Sequence, residues 1–219
     1  MILWGVPVST YTTKVRIALH AKGLRFEERE PPGGYRSEAW RARVPTGTIP
    51  ALEVDGALLA ESEAIVEFLE DFQGEPALLP GSPLQRAHAR RLARFHDLHL
   101  ELAVRALFPL VRDGSRTVAS VQARLDGVAS RLDQLAALAK PGPWLAGEHL
   151  SVADLGMVVS VRLAHRLAQA LASPLGWPDA LQPWLDATAT HPAIQAGLRP
   201  WEPAVDGWLA TSLVPTEHA

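Results

Sequence analysis

The segment Ala51-Leu52-Glu53-Val54-Asp55-Gly56-Ala57-Leu58-Leu59-Ala60-Glu61-Ser62 sets two short apolar runs on either side of an Asp-Gly pair. Asp-Gly between such runs predicts a two-residue hairpin, because the turn needs positive φ at both central positions. Residues 51–54 and 57–60 are therefore expected as antiparallel strands. Ser62 then reads as the cap of a helix to about Phe72, with Ile65, Phe68, Leu69 and Phe72 at helical spacing. Upstream, Ile2-Leu3-Trp4 is a candidate buried strand. The hydroxyl-rich turn Ser9-Thr10-Tyr11-Thr12-Thr13 follows, and then a helical pattern from Lys14 to about Lys22, stopped by Gly23. Arg25-Phe26-Glu27-Glu28 is a weaker strand, and Ser37 caps a short helix through Arg43. A strand–helix–strand unit crosses over right-handed and pairs its two strands in parallel. The expected unit is α/β, a small mixed four-stranded sheet with helices packed on it, over residues 1–78.

The run Leu78-Leu79-Pro80-Gly81-Ser82-Pro83 reads as a linker. Residues 84–219 are expected to form an all-α unit. One long helix is expected over Leu84–Val111, with Leu92, Phe95, Leu98 or His99, Leu102 and Leu107 as its apolar stripe. A second, Thr117–Ala139, carries Val118, Val121, Leu125, Val128, Leu132 and Leu135. Ser151 and Asp154 form an Asp variant of the capping box that opens a third helix. Shorter helices are expected around 181–188 and 193–198.

The 219 residues are long enough for a substantial core, with 47% hydrophobic and 21% charged residues. Zero cysteine excludes disulfides, zinc–thiolate sites, iron–sulfur clusters and cysteine nucleophiles. The formal net charge of −3 gives no support to a nucleic-acid partner or an anionic membrane surface. No apolar run approaches the ~20 residues of a membrane span. The opening MILWGVPVSTYTTK lacks the basic region of a secretory signal, so a cytoplasmic protein is expected.

Three places combine residue types that carry chemistry. The Ser9–Thr13 hydroxyls lie where a strand meets a helix, and a helix N-terminus favours an anion. The same hydroxyls also serve as simple caps. Thr48-Ile49-Pro50 precedes the first hairpin strand; its backbone can pair with an extended peptide, or Pro50 can merely start the strand. Glu61-Ser62 suits a ligand with an ammonium and a carboxylate, or a plain cap. His96 and His99, at i and i+3, have no acidic partner at a spacing that completes a metal site, so none is expected.

Together these segments resemble the glutathione transferase family. Ser9 to Leu19 is similar to the active-site turn and first helix of the serine-type classes, closest to zeta- and phi-like bacterial members. Gly47-Thr48-Ile49-Pro50-Ala51-Leu52 resembles the family's cis-proline segment, and Ala60-Glu61-Ser62-Glu63-Ala64-Ile65 its glutathione-binding motif. Leu150 to Asp154 looks like the start of the central helix of its helical domain, and Trp184 to Ala193 like its terminal pattern with His191 in place of Arg. The resemblance implies a thioredoxin-like N-terminal domain, an all-α C-terminal domain, a cytoplasmic homodimer, and glutathione as co-substrate without a metal. Ser9, or Tyr11 beside it, would donate to the glutathione sulfur. Thr48, Ile49, Pro50, Glu61 and Ser62 would bind the tripeptide. Val8, Phe95, His96 and His99 would line the pocket of a small hydrophobic electrophile, with Val6, Pro7, Leu102, Trp201 and Trp208 around them. Trp4 stands where tyrosine-type classes place their tyrosine, Tyr11 replaces a cysteine or small residue, Val44 an Asn, and Thr48 a Gln or Lys.

The activity expected is thiolate attack on electrophiles, by conjugation or peroxide reduction, in detoxification. Two alternatives stay open: a glutathione-dependent isomerase of the maleylacetoacetate or maleylpyruvate type, and a non-catalytic binding module of the same fold.

Overall fold

The computed structural model describes residues 1–139 and 142–215. Its N-terminal part runs β1 (Ile2–Trp4), α1 (Thr10–Ala21), β2 (Glu27–Arg29), α2 (Glu38–Arg41), β3 (Ala51–Val54), β4 (Ala57–Ala60) and α3 (Ser62–Phe72). The sheet order is β2-β1-β3-β4, with β1 parallel to β2 and antiparallel to β3, and β3 antiparallel to β4. Asp55 (φ 50°) and Gly56 (φ 82°) make the hairpin turn as its chemistry requires. The Ile49–Pro50 peptide is cis.

The helical part comprises α4 (Pro83–Phe95), a π-helical turn (His96–Leu100), α5 (Glu101–Arg105), α6 (Phe108–Arg112), α7 (Val118–Leu138), α8 (Val152–Ala170), α9 (Gln182–Thr190), α10 (Pro192–Leu198) and α11 (Trp201–Ser212). One contiguous buried cluster joins the two parts, from Leu3 and Ile17 through Leu92 and Val158 to Trp201 and Val205. Trp4, Trp40, Val44 and Ala51 form a second, smaller cluster. None of the helices over the described residues is long and apolar enough to cross a membrane.

Three expectations are corrected. The long helix over 84–111 is not continuous. A π turn at His96–Leu100 interrupts it. Leu100, Val104 and Leu107 are buried in step with Leu92, Ala93 and His96, while Leu98 and Leu102 are 59% and 57% exposed. Ser62 is not a cap: Glu61 is the N-cap, at φ 71°, and Ser62 is the first helical residue. Val118 and Phe72, each at an end of its helix, are exposed, although the Phe72 ring packs on Phe68.

Helix α1 is buried along most of its length, although with its C-cap Lys22 it carries three buried cations. Each is matched: Lys14 by Glu63, Arg16 by Glu28 and Lys22 by Glu70, all at 2.5 Å. Gly197 of α10 meets α1 so closely that a β-carbon there would lie 2.4 Å from Ile17 Cγ1.

The cap of α8 is as the spacing implied. Asp154 is fully buried and accepts from the Ser151 amide (2.8 Å), the Ser151 hydroxyl (3.1 Å), the Leu145 amide (3.1 Å) and Trp184 Nε1 (3.0 Å). Burial pushes its carboxyl up to about 6 against the pull of these donors. The native state therefore binds a proton that the unfolded chain releases between about pH 4 and 6. This group's contribution to stability is complete below that window and declines as pH rises through it. Urea unfolding at several pH values should show that decline, and Asp154→Asn should remove it. Asp154→Ala, which strands the Leu145 and Trp184 donors, should cost roughly 2–4 kcal/mol.

Candidate active site

The sheet and helical parts face each other across a cleft of ≈ 1250 Å³. On its sheet side stand Val8, Ser9, Tyr11, Thr48, Ile49, Pro50, Glu61 and Ser62, all expected from the sequence. Each arrives from the end of an element: Ser9 from the start of α1, Ile49-Pro50 from the start of β3, and Glu61-Ser62 from the turn between β4 and α3.

The five hydroxyls of the Ser9–Thr13 turn are separated by their surroundings. Thr12 and Thr13 are fully buried away from the cleft, and Thr13 Oγ1 accepts from Arg16 Nη1 at 2.9 Å. Thr10 lines the cleft, but its hydroxyl donates to Glu101 Oε1 at 2.6 Å. Ser9 Oγ accepts from the Thr12 amide at 3.2 Å, which occupies a lone pair and leaves its proton free to donate. Tyr11 is held well above the usual phenol range, first by burial and then by Glu101 and Asp97, with Arg105 opposing them. Its phenol stays protonated at neutral pH.

Helix α3 opens into the cleft without a side-chain cap, and Ser62, Glu63 and Ala64 of its first turn line the wall. Unsatisfied amides at a helix N-terminus suit a carboxylate. Glu61, at φ 71°, holds a strained non-glycine conformation at this corner. The Ile49 amide and carbonyl make no hydrogen bond among the described residues. Thr48 donates its hydroxyl to, or accepts from, Thr46 at 2.7 Å, and its carbonyl accepts from Trp40 Nε1.

The helical wall differs from its expected composition. Phe95, His96 and His99 are not among the lining residues, and neither are Leu102 and Trp201. His96 is buried in step with Leu92 and Ala93, and there Nδ1 meets Asp97 Oδ1 (2.8 Å) and Nε2 meets Ser160 Oγ (2.7 Å). Phe95 is buried and packs on the His99 ring at 5.2 Å. In their place the wall presents Arg94, Asp97, Leu98, Arg105, Phe108, Arg112, Leu163, Val205 and Trp208. Arg36 lines the opposite side near Thr48; its amide donates to the Gly47 carbonyl at 2.9 Å.

A polar chain runs beneath the cleft. Lys14 Nζ donates to Glu63 (2.5 Å) and to both oxygens of Asp97 (3.2 Å). Burial pushes the Asp97 carboxyl up, but bonds from His96 and Lys14 outweigh it and hold it below the usual range. His96 thereby bridges Asp97 and Ser160, and the Ser160 hydroxyl donates to Glu101. Glu101, wholly buried, also receives Arg105 at 2.8 Å. No sequence pattern marked Asp97, Glu101 or Ser160; only the chemistry of Lys14 in an apolar helix face called for a buried carboxylate.

Among the described residues no cluster of three or more His, Cys, Asp or Glu is placed to hold a metal. Residues 3–77 match the family model for the glutathione S-transferase N-terminal domain. The chain is 33% identical over 184 residues to a glutathione S-transferase of Pseudomonas putida, covering 78% of each chain. It is also 33% identical over 198 residues to a maleylacetoacetate isomerase of Pseudomonas aeruginosa, covering 85% of this chain and 90% of the relative. Its fold is similar to the theta-class glutathione S-transferase of Xanthomonas axonopodis pv. citri, solved with glutathione bound. The TM-score is 0.73 at 26% identity, covering 90% of this chain and 95% of that one. The chain belongs to the glutathione transferase family of enzymes.

Proposed function

We propose that this protein binds glutathione along Ile49 and activates its thiol as a thiolate, which attacks a small electrophile held on the helical wall. The observation that carries the reading is Ser9: its oxygen is engaged by the Thr12 amide, and its proton is free at a helix N-terminus facing the cleft. In the turn, Thr10 has already given its proton to Glu101, and the Tyr11 phenol is held high by burial. Ser9 is therefore the donor to the sulfur, and Tyr11 a neutral wall residue near it.

The other ends of the tripeptide have partners of matching chemistry. The free amides of α3 and the Ser62 hydroxyl suit the γ-glutamyl carboxylate, and Glu61 its ammonium. The unpaired amide and carbonyl of Ile49 suit its peptide backbone. Arg36, beside Thr48, supplies a cation for the glycyl carboxylate. An ordinary thiol near a pKa of ~8.5 is only about 3% thiolate at pH 7. A hydroxyl donor and a helix N-terminus together lower such a value by about 1–3 units. A shift of about two makes most of the sulfur nucleophilic; it then bonds to an electrophilic carbon as the leaving group departs with its electron pair, or to a peroxide oxygen as the O–O bond breaks and the alkoxide takes a proton, leaving a sulfenic acid.

Cytoplasmic detoxification as a homodimer belongs to the same reading. The exposed Phe72 and Leu102 are apolar side chains a dimer contact would cover. A second reading, glutathione-dependent isomerisation of a cis-dienoic keto acid, is favoured by the similarity to the Pseudomonas aeruginosa isomerase.

An ultraviolet difference titration with glutathione near neutral pH should show a thiolate band, which in a cysteine-free chain arises from the ligand. Ser9→Ala should lose most of that band and lower kcat/KM by about 10–100-fold, with Ser9→Thr recovering part. An unchanged band in Ser9→Ala would remove Ser9 from the role. Light scattering should give twice the chain mass. Isomerisation of maleylpyruvate faster than conjugation of an aryl halide would favour the second reading.

A further inference from the structure

The helical half of the cleft is more basic than a purely apolar electrophile requires. Phe108 and Arg112 stand four residues apart on α6 and both line the cleft, so one face presents a ring and a cation together. Trp208 of α11 packs against Phe108 with 5.2 Å between ring centroids, and Leu163 and Val205 add an apolar floor. The Arg105 guanidinium lies 5.2 Å from the Tyr11 ring centre and 5.7 Å from that of Phe108, linking the α1 turn to the aromatic pair.

The carboxylates around these cations are already engaged. Glu101 is buried and takes Arg105 and Thr10. Asp97 takes Lys14 and His96. Asp113 accepts from the amide and hydroxyl of Ser115. On α11, Glu202 and Asp206 pair with Arg162 and Arg166. Arg112 makes no hydrogen bond or ion pair among the described residues.

We propose that the electrophile taken by this cleft carries a carboxylate or an equivalent anion, bound by Arg112 and Arg105, while its planar apolar body lies against Phe108 and Trp208. The inference rests on the glutathione-thiolate reading above and adds the class of substrate. A guanidinium fork matches a carboxylate in two parallel hydrogen bonds. A neutral ligand on this wall would instead strip water from Arg112 with nothing in return. For a chlorodinitrobenzoate, the thiolate sulfur bonds to the chlorine-bearing carbon and chloride leaves with the C–Cl electron pair. The thiol proton has passed to solvent, and the ring carboxylate is unchanged.

The test is calorimetric binding of two preformed S-aryl glutathione conjugates, made from 4-chloro-3,5-dinitrobenzoate and from its methyl ester, to the full chain. The acid conjugate should bind at least about tenfold more tightly than the ester. The gap should narrow at high sodium chloride and in Arg112→Gln, and survive in part in Arg112→Lys. Arg112 is exposed, so these variants retain the fold, which circular dichroism verifies. Equal binding of the two conjugates, or a gap that Arg112→Gln leaves intact, overturns the proposal while the glutathione reading stands. If neither conjugate nor glutathione itself binds, that reading falls and the proposal falls with it.

Discussion

The structure depends on α1 keeping three cations inside the protein. A buried ammonium or guanidinium is tolerated only where a carboxylate and further hydrogen-bond partners meet it. Lys14 therefore requires Glu63 and Asp97, Arg16 requires Glu28 and the Gly197 carbonyl, and Lys22 requires Glu70 and the Gln73 carbonyl. These partners come from α3, the π turn, β2, α10 and the stretch that leads out of α3. One helix thus fixes the relative placement of elements from both parts of the chain. Such pairs add little net stability over an apolar core, but losing one partner strands a charge. What they supply is a single arrangement.

That arrangement bears directly on the chemistry, because α1 also begins at Ser9. Glu63 and Asp97, the two partners of Lys14, both line the cleft. Asp97 passes the constraint to His96, His96 to Ser160, and Ser160 to Glu101, which returns to α1 at Thr10. The chain of donors and acceptors closes within two turns of α1. Its effect on the turn is subtractive: Thr10 spends its proton on Glu101, Tyr11 is kept neutral by burial beside two carboxylates, and Ser9 is left with a hydroxyl to offer.

The π turn has a comparable influence on the helical wall. It joins His96, buried in step with Leu92 and Ala93, to Glu101, which lies beneath Thr10. Leu98 and Leu102, expected on the buried stripe, face away from Leu92, Ala93 and His96 and are exposed. The residues expected to meet the electrophile, Phe95, His96 and His99, are displaced by a mixed aromatic and basic set from farther along: Arg105, Phe108, Arg112 and Trp208. The residues expected on the sheet side all line the cleft, because that side is built from local motifs. Phe95, His96 and His99 do not line it, because the face a helix presents is set by what packs against it.

Much was legible in the order of residues alone. The Asp-Gly turn, the strand lengths, the capping box of Ser151 and Asp154, and the hydroxyl turn at Ser9 are contacts within a few positions of one another, so their geometry follows from local chemistry. The cleft's sheet side, with Ile49, Glu61 and Ser62, follows from element ends that those local signals mark. What sequence periodicity could not decide is which side chains share one desolvated space. Local periodicity assigns no partners to Lys14, Arg16 and Lys22; they are core because Glu63, Glu28 and Glu70 arrive from elsewhere in the fold. Which hydroxyl keeps its proton, and which face of the 84–111 segment meets the cleft, likewise depend on distant partners, as with Thr10 and Glu101, 91 positions apart. Local propensity sets the elements; the pairing of buried charges across long separations sets the site.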